Sequence, residues 1–198
     1  MSKKTIIILA VAAVIILATL TTVLWAIGIY NGMVNAEEEA TTALANVQSS
    51  YQRRADLIPN LVETVKGYAT HEKETLEGVI TARSKATSMT LNADNVQAYQ
   101  QAQGELSQAL GRLIAIGEAY PELKANENFI RLQDELAGTE NRIAVARKRY
   151  NEIVKRYNMS IRQFPGSLFA GGLGLSTREY FEPPEGHDVV VKAPKVEF

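Results

Sequence analysis

A long uncharged run near the amino terminus constrains this chain more than any other feature of its sequence. No charged residue occurs between Thr5 and Ala36, and the stretch Ile6–Ile29 is almost purely apolar. As an α-helix this stretch is about 36 Å long, which is enough to cross a hydrocarbon core of roughly 30 Å. Trp25 and Tyr30 lie at its far end, where amphipathic rings favour the lipid–water boundary. The sequence therefore predicts a membrane helix that anchors the chain in a lipid bilayer.

A secretory signal peptide is the competing interpretation of this run. The apolar region of such a peptide usually spans about 7–15 residues, so this run is too long for one. Val34-Asn35-Ala36 nevertheless fits a small-residue cleavage site loosely. The membrane anchor is the preferred interpretation.

The flanking charges predict the orientation of the anchor. Lys3 and Lys4 precede the run, whereas residues 37–39 are all glutamate. Cationic flanks stay in the cytoplasm. We therefore expect a single-pass protein with a cytoplasmic amino terminus and a body outside the cytoplasm, either periplasmic or extracellular.

The composition excludes several functional classes. The 198 residues include no cysteine, which removes disulfides, thiolate metal sites and cysteine nucleophiles. With 21 basic and 22 acidic residues, the chain lacks the basic excess of a nucleic-acid-binding protein. His71 and His187 are the only histidines, too few for a histidine-rich metal site.

Apolar periodicity predicts long helices in the body. Between Phe129 and Phe164 apolar residues recur in a heptad pattern, which predicts a helix of about 54 Å that packs along its length. Pro165-Gly166 should end it. A second helix is predicted over Asn95–Tyr120, about 39 Å long. The apolar stripe of the first of these helices is thus longer than the second helix. The amino-terminal helix or a second copy of the chain must therefore cover the rest of this heptad stripe.

Residues 34–88 also have a helical pattern, with two possible arrangements. They form either one long bent helix with Pro59 inside it, or two helices that meet near Thr70-His71. No convincing strand pattern precedes residue 165. The predicted fold is all-α: a stub and transmembrane helix over residues 1–30, an antiparallel bundle of long helices over 31–165, and an extended or flexible tail over 166–198.

No set of residues indicates catalysis. His71-Glu72 begins like a zinc-protease motif, but Thr75 stands where the second histidine is required. Glu63, Glu118 and Glu140 lie in predicted helices, where solvated or paired glutamates are the rule and only converging carboxylates would indicate a hydrolase. We therefore predict no enzyme activity, no catalytic, metal or cofactor-binding residue, and no cofactor.

Four further motifs have simple structural interpretations. Gly171–Gly174 lacks the spacing and context of a dinucleotide-binding loop. Asn158-Met159-Ser160 matches a glycosylation sequence by chance, inside a predicted helix. Arg53-Arg54-x-Asp56 indicates an ion-pair cluster or a contact between copies. Tyr150-Asn151 and Tyr157-Asn158 are seven residues apart, which favours a packing layer, in which each buried hydroxyl needs a partner, over a ligand site.

Several of these segments together resemble the LemA family over essentially the whole chain. The resemblance is carried by Tyr30-Asn31, Gln52–Ala69, His71-Glu72, Glu118–Asn126, Thr139–Ala144, Arg147, Tyr150-Asn151, Tyr157-Asn158, Phe164-Pro165 and Pro194–Val196. It implies a bacterial protein with an amino-terminal membrane helix and a body resembling a four-helix bundle. It implies no catalytic residues.

The predicted function is a non-enzymatic, membrane-anchored scaffold that assembles with copies of itself. Confinement of anchored copies to a plane favours weak lateral contacts. Val189–Val191 and Phe198, apolar residues of the tail, are further candidates for docking on a neighbouring copy. The alternative is an adaptor or sensor that binds a membrane or envelope protein. A carboxylate-site hydrolase is the third and weakest hypothesis.

Overall fold

The computed structural model describes residues 2–182, and this part of the chain is helical without strands. Its helices are α1 (Lys3–Lys66), α2 (Lys73–Thr87), α3 (Val96–Ala119), α4 (Pro121–Lys124), α5 (Glu127–Arg162) and α6 (Gly166–Ala170), followed by a 3₁₀ turn, Gly171–Leu173. The prediction of an all-α fold with an amino-terminal apolar helix is confirmed.

Helix α1 contains the uncharged run and then continues without a break into the body. It is 64 residues long, and its apolar window is fully exposed in the isolated chain. Its length and composition suit a membrane span. Pro59 lies inside the helix, which nevertheless continues to Lys66.

The region 34–88 forms two helices, not one. Helix α1 ends before Gly67, a residue of low helix propensity, and α2 begins at Lys73. The amides of Tyr68 and Ala69 both donate to the Val65 carbonyl, at 3.0 and 2.9 Å, so the turn uses backbone groups that the helix end leaves free.

The described residues fall into two compact units. The first comprises residues 2–40 and 155–177, and the second comprises residues 41–154 and 178–182. The second unit has a core to which helices α1 to α5 all contribute. Its fully buried apolar side chains include Ile58, Leu61, Val65, Val79, Leu106, Leu113, Leu123 and Phe129.

The first unit has its own smaller core. Met33 on α1 packs with Tyr157 and Ile161 on α5 and with Ala170 on α6. Ile29, Ala36, Phe169 and Leu175 lie against this cluster. Gly166 is required here, because a Cβ atom at this position would overlap the Ser160 carbonyl oxygen.

The heptad stripe of α5 is covered by the chain itself. Its large apolar side chains from Phe129 through Tyr157 are buried, whereas Phe164, beyond the end of α5, is 75% exposed. A second copy is therefore not needed to cover the stripe between Phe129 and Tyr157.

The prediction of an extended or flexible tail over residues 166–198 is wrong for residues 166–173. Gly166–Ala170 is α-helical and Gly171–Leu173 is a 3₁₀ turn that ends at Gly174, whose φ of 68° suits glycine. Local helical hydrogen bonds, such as Leu168 N to Pro165 O at 3.1 Å, account for the difference. Residues 175–182 are neither helix nor strand. Val189–Val191 and Phe198 lie outside the described residues.

Candidate docking site

The candidate acid–base residues do not converge on a common site. Glu63 lies 3.6 Å from Lys66, Glu118 lies 2.6 Å from Lys124, and all four side chains are exposed. Glu140 accepts from Arg54 at 2.8 Å. His71 is exposed, and the hydroxyl of Tyr120 donates to Glu72 at 3.1 Å. Residues 2–182 contain no group of three or more His, Cys, Asp or Glu side chains placed to hold a metal ion.

A buried arginine joins α1 to α3 and α5 in the second unit. The Arg54 guanidinium donates to Glu140 at 2.8 Å, to Ser107 Oγ at 2.9 Å and to Gln103 Oε1 at 2.7 Å. It also lies 5.2 Å from the centre of the Tyr51 ring. Within residues 2–182, Arg54 Nε is buried without a hydrogen-bond partner. The arrangement is structural, because most of its donors are occupied by the chain itself.

Two tyrosines extend this buried polar cluster. The Tyr51 and Tyr99 rings meet edge to face, with centroids 5.5 Å apart. Burial raises the pKa of both hydroxyls, although the charges of Arg147 and Arg54 partly offset the rise in the pKa of Tyr51. Both tyrosines therefore stay neutral at physiological pH.

The second unit also binds a segment of its own chain that is neither helix nor strand. We call residues 178–182 the strap. Asn151 on α5 makes two hydrogen bonds to Phe181, donating to its carbonyl at 2.8 Å and accepting from its amide at 2.9 Å. Gln100 on α3 does the same with Glu182, at 3.1 and 3.0 Å. Two side-chain amides thus pair with the strap backbone much as a neighbouring strand would.

Further contacts fix the position of the strap. The Tyr150 hydroxyl donates to the Glu179 carbonyl at 3.1 Å, and Gln97 donates to the Tyr180 carbonyl at 3.3 Å. Arg147 donates to the carbonyl of Glu182. We call this set of side chains on α3 and α5 the strap groove.

One aromatic side chain of the strap is inserted between the helices. Phe181 is buried, and its ring meets Tyr150 edge to face at a centroid distance of 5.3 Å. The Arg147 guanidinium lies 5.3 Å from the centre of the Phe181 ring. The strap groove therefore recognises a backbone through polar groups and a single aromatic side chain through packing.

The sequence indicated part of this groove. Tyr150 and Tyr157 have hydroxyl partners, the carbonyls of Glu179 and Ser176, which matches the packing interpretation of the Tyr-Asn pairs. Asn158 is buried, as a chance glycosylation match in a packed helix would be. The roles of Gln97 and Gln100 were missed, although their three-residue spacing places both on one face of α3.

A second surface feature carries positive charge. Two neighbouring depressions of about 440 and 450 Å³ lie between α1 and α5, with Ser50 and Arg142 in the walls of both. Arg149 lines one depression, and Arg53 and Asp56 line the other. Asp56 accepts a hydrogen bond from Gln52 at 2.8 Å. Arg53 and Arg54 thus have different surroundings: Arg53 faces solvent and Arg54 is buried.

These features define a class: a helical protein with a candidate amino-terminal membrane span and a body in which side chains of α3 and α5 hold a segment of the same chain. The chain belongs to the LemA family, whose model matches residues 43–198. It is 26% identical to the magnetosome protein MamQ of Magnetospirillum gryphiswaldense, over 95% of this chain and 76% of that protein. It is 24% identical to the protein LemA of Metamycoplasma hominis, over 80% of this chain and 71% of that protein.

Proposed function

We propose that this protein is a non-enzymatic scaffold that is anchored in a bacterial membrane and assembles with further copies of itself. The observation that supports this proposal is the strap groove, which binds a segment that follows the last α-helix of the described residues. In an assembly, the strap of one copy would occupy the groove of another.

The contacts of the strap suit such an exchange. Those described for residues 179–182 are made with side chains of α3 and α5, through Gln97, Gln100, Arg147, Tyr150 and Asn151. An exchanged strap would make the same contacts with a second copy, so exchange costs little contact energy. Swapping an identical element between copies is a low-cost route to assembly for this reason.

Membrane anchoring favours the exchanged form. The fraction of straps bound in a neighbouring groove, as opposed to their own, depends on the effective concentration of each groove. Copies held in one membrane plane have a raised local concentration, which increases the share of neighbouring grooves that are occupied. We therefore expect assembly to depend on the anchor.

Cysteine pairs test the exchange directly, because the natural chain has no cysteine. One tagged copy carries Gln97→Cys, and a second, differently tagged copy carries Tyr180→Cys. After co-expression in membranes, a short bismaleimide should link the two tags. A chain with both substitutions checks that the two positions can be linked, and Tyr180→Cys paired with Asp134→Cys, an exposed position on α5, is the matched control.

The outcomes separate the scaffold from the exchange mechanism. A mixed-tag product from the 97–180 pair, absent from the control pair, supports both. Copies that co-purify while only the double-substituted chain links internally would retain the scaffold and refute strap exchange. A single-chain mass in nanodiscs at micromolar concentration, without any mixed product, would refute self-assembly.

A second candidate function is an adaptor for a partner protein. The arginines of the two depressions, Arg53, Arg142 and Arg149, support it, because a cationic surface suits an acidic partner segment. Pull-down from membranes would then yield a stoichiometric foreign protein, and Arg142→Glu would abolish its capture. Capture unaffected by Arg142→Glu would refute this adaptor surface.

The finer organisation belongs to the same proposal. We infer that the helices of the body form an antiparallel bundle. We also infer that the body lies outside the cytoplasm, because Lys3 and Lys4 precede the span and an acidic run follows it. The proposed boundaries are residues 1–30 for the stub and anchor, 31–165 for the bundle and 166–198 for the tail. No nucleic acid, metal or cofactor takes part in the proposed function.

A further inference from the structure

We propose that the segment around α6 is a second lipid contact, which inserts into the interfacial layer of the membrane beside α1. The main evidence is that two large apolar side chains of this segment, Phe164 and Leu168, are 75% and 69% exposed. Large apolar side chains exposed together on a protein surface usually mark an interaction site.

The contacts of the first unit place this segment near the end of the membrane span. Arg156 on α5 lies 3.9 Å from Glu39 on α1. Ten residues further along the chain, a Cβ atom at Gly166 would lie 3.2 Å from the sulfur of Met33. As the chain proceeds from α5 to α6, its contacts on α1 therefore move from Glu39 towards the apolar run.

Ile29 gives the depth of this contact. It packs against the small core that includes Ala170, and it is the last residue of the apolar run. A helical run of about 36 Å exceeds a hydrocarbon core of roughly 30 Å, so its last residues lie at the lipid headgroups. Trp25 and Tyr30 mark the same boundary. Residues packed against Ile29 and Met33 are thus at or just above the headgroup layer.

The chemistry of the exposed residues fits a lipid surface. Phe169 and Ala170 pack against the cluster formed by Met33 on α1 and by Tyr157 and Ile161 on α5, whereas Phe164 and Leu168 are exposed. Phenylalanine and leucine are typical of the apolar side of segments that lie in the interface. The occupant we infer is the lipid surface itself, not a second copy of the chain.

Three single-cysteine variants with matched exposure test this assignment. Leu168→Cys is the test position, Ile16→Cys is the lipid-exposed reference, and Val145→Cys is the solvent-exposed reference, because Ile16 and Val145 are both 68% exposed. Each full-length variant is labelled with an environment-sensitive fluorophore in liposomes. Quenching is then measured with spin-labelled lipids and with aqueous iodide.

We expect spin-labelled lipid to quench the labels at both 168 and 16, with a shallow spin label the stronger quencher at 168 and a deep spin label the stronger quencher at 16. Iodide quenching should be several-fold weaker than at position 145. Phe164→Cys provides a second measurement if the label at 168 perturbs the fold. Labels at 164 and 168 that behave like the label at 145 would overturn the proposal. A label shielded from iodide but not quenched by lipid would also overturn it, because protein would then cover the surface.

Discussion

At the scale of single residues, neighbouring arginines of the same motif differ because only one is buried. Arg54 is buried with partners on α3 and α5, whereas Arg53 faces solvent. Arg54→Met would leave the buried acceptor of Gln103 without its donor, and we expect it to lower the free energy of unfolding by about 2–4 kcal/mol. Arg53→Met should change it by less than about 0.5 kcal/mol. Urea unfolding of both full-length variants measures the difference, and equal effects would contradict the structural role of Arg54.

Tyr150 makes stability depend on pH at the alkaline end. Burial raises the pKa of its hydroxyl to about 12, whereas the unfolded value is about 10. Below pH 10 both states are protonated and the contribution is complete. Between about pH 10 and 12 only the unfolded state loses the proton, so stability falls as pH rises.

Tyr150→Phe removes this titration. The variant should lose about 1 kcal/mol at neutral pH through its missing hydrogen bond to Glu179. It should then lose about 1–3 kcal/mol less than the natural chain between about pH 9 and 12. Unfolding curves at a series of pH values measure both effects. Parallel pH profiles for the two proteins would show that the Tyr150 hydroxyl does not carry the dependence.

Gly117 on α3 is a packing requirement. A Cβ atom there would lie 2.8 Å from Cε1 of Phe129, a buried ring. We expect Gly117→Ala to destabilise the protein by about 1–3 kcal/mol despite the better helix propensity of alanine. Gly111→Ala on the same helix meets no atom within 4 Å and should stabilise by about 0.5–1 kcal/mol. Thermal unfolding compares the two variants, and shifts of the same sign would contradict the packing role of Gly117.

At the scale of elements, α1 combines two environments in one helix. Leu17 on α1 and Ile80 on α2 are both exposed in the isolated chain, at 63% and 54%, but only Leu17 lies in the uncharged run. An arginine at the centre of a membrane helix costs about 2.5–3.5 kcal/mol. Leu17→Arg should therefore move part of the protein from the membrane to the soluble fraction, whereas Ile80→Arg should not. Equal fractionation of the two variants would contradict a membrane role for residues 6–29.

At the scale of the whole molecule, the flanking charges predict which side of the membrane carries the body. Lys3 and Lys4 should keep the amino terminus inside, which exposes the body on the outer side. Protease added to intact spheroplasts should digest the body, and a cytoplasmic marker protein should survive as the control. A body that is degraded only after the cells are lysed would reverse the orientation.

Much of the architecture could be predicted from the sequence, because it depends on local or periodic properties. Three features depend only on the spacing of apolar residues, which is visible in the amino-acid sequence. They are the uncharged run, the heptad pattern over Phe129–Phe164 and the helix over Asn95–Tyr120. Observed helices α3 and α5 differ from the predicted ones by one or two residues at each end. The identity of the family was equally visible in the segments around Arg53–Ala69.

Only the tertiary structure decided between the arrangements that remained. Whether residues 34–88 form one helix or two depends on how Leu61, Val65 and Val79 share a core, and that is a question of packing. The strap groove joins Gln100 to Glu182, 82 residues apart, and Asn151 to Phe181, 30 residues apart. The position of α6 beside α1 follows from the packing of Ala170 with Met33. Local propensity contains no term for such distant contacts, so only the folded chain reveals them.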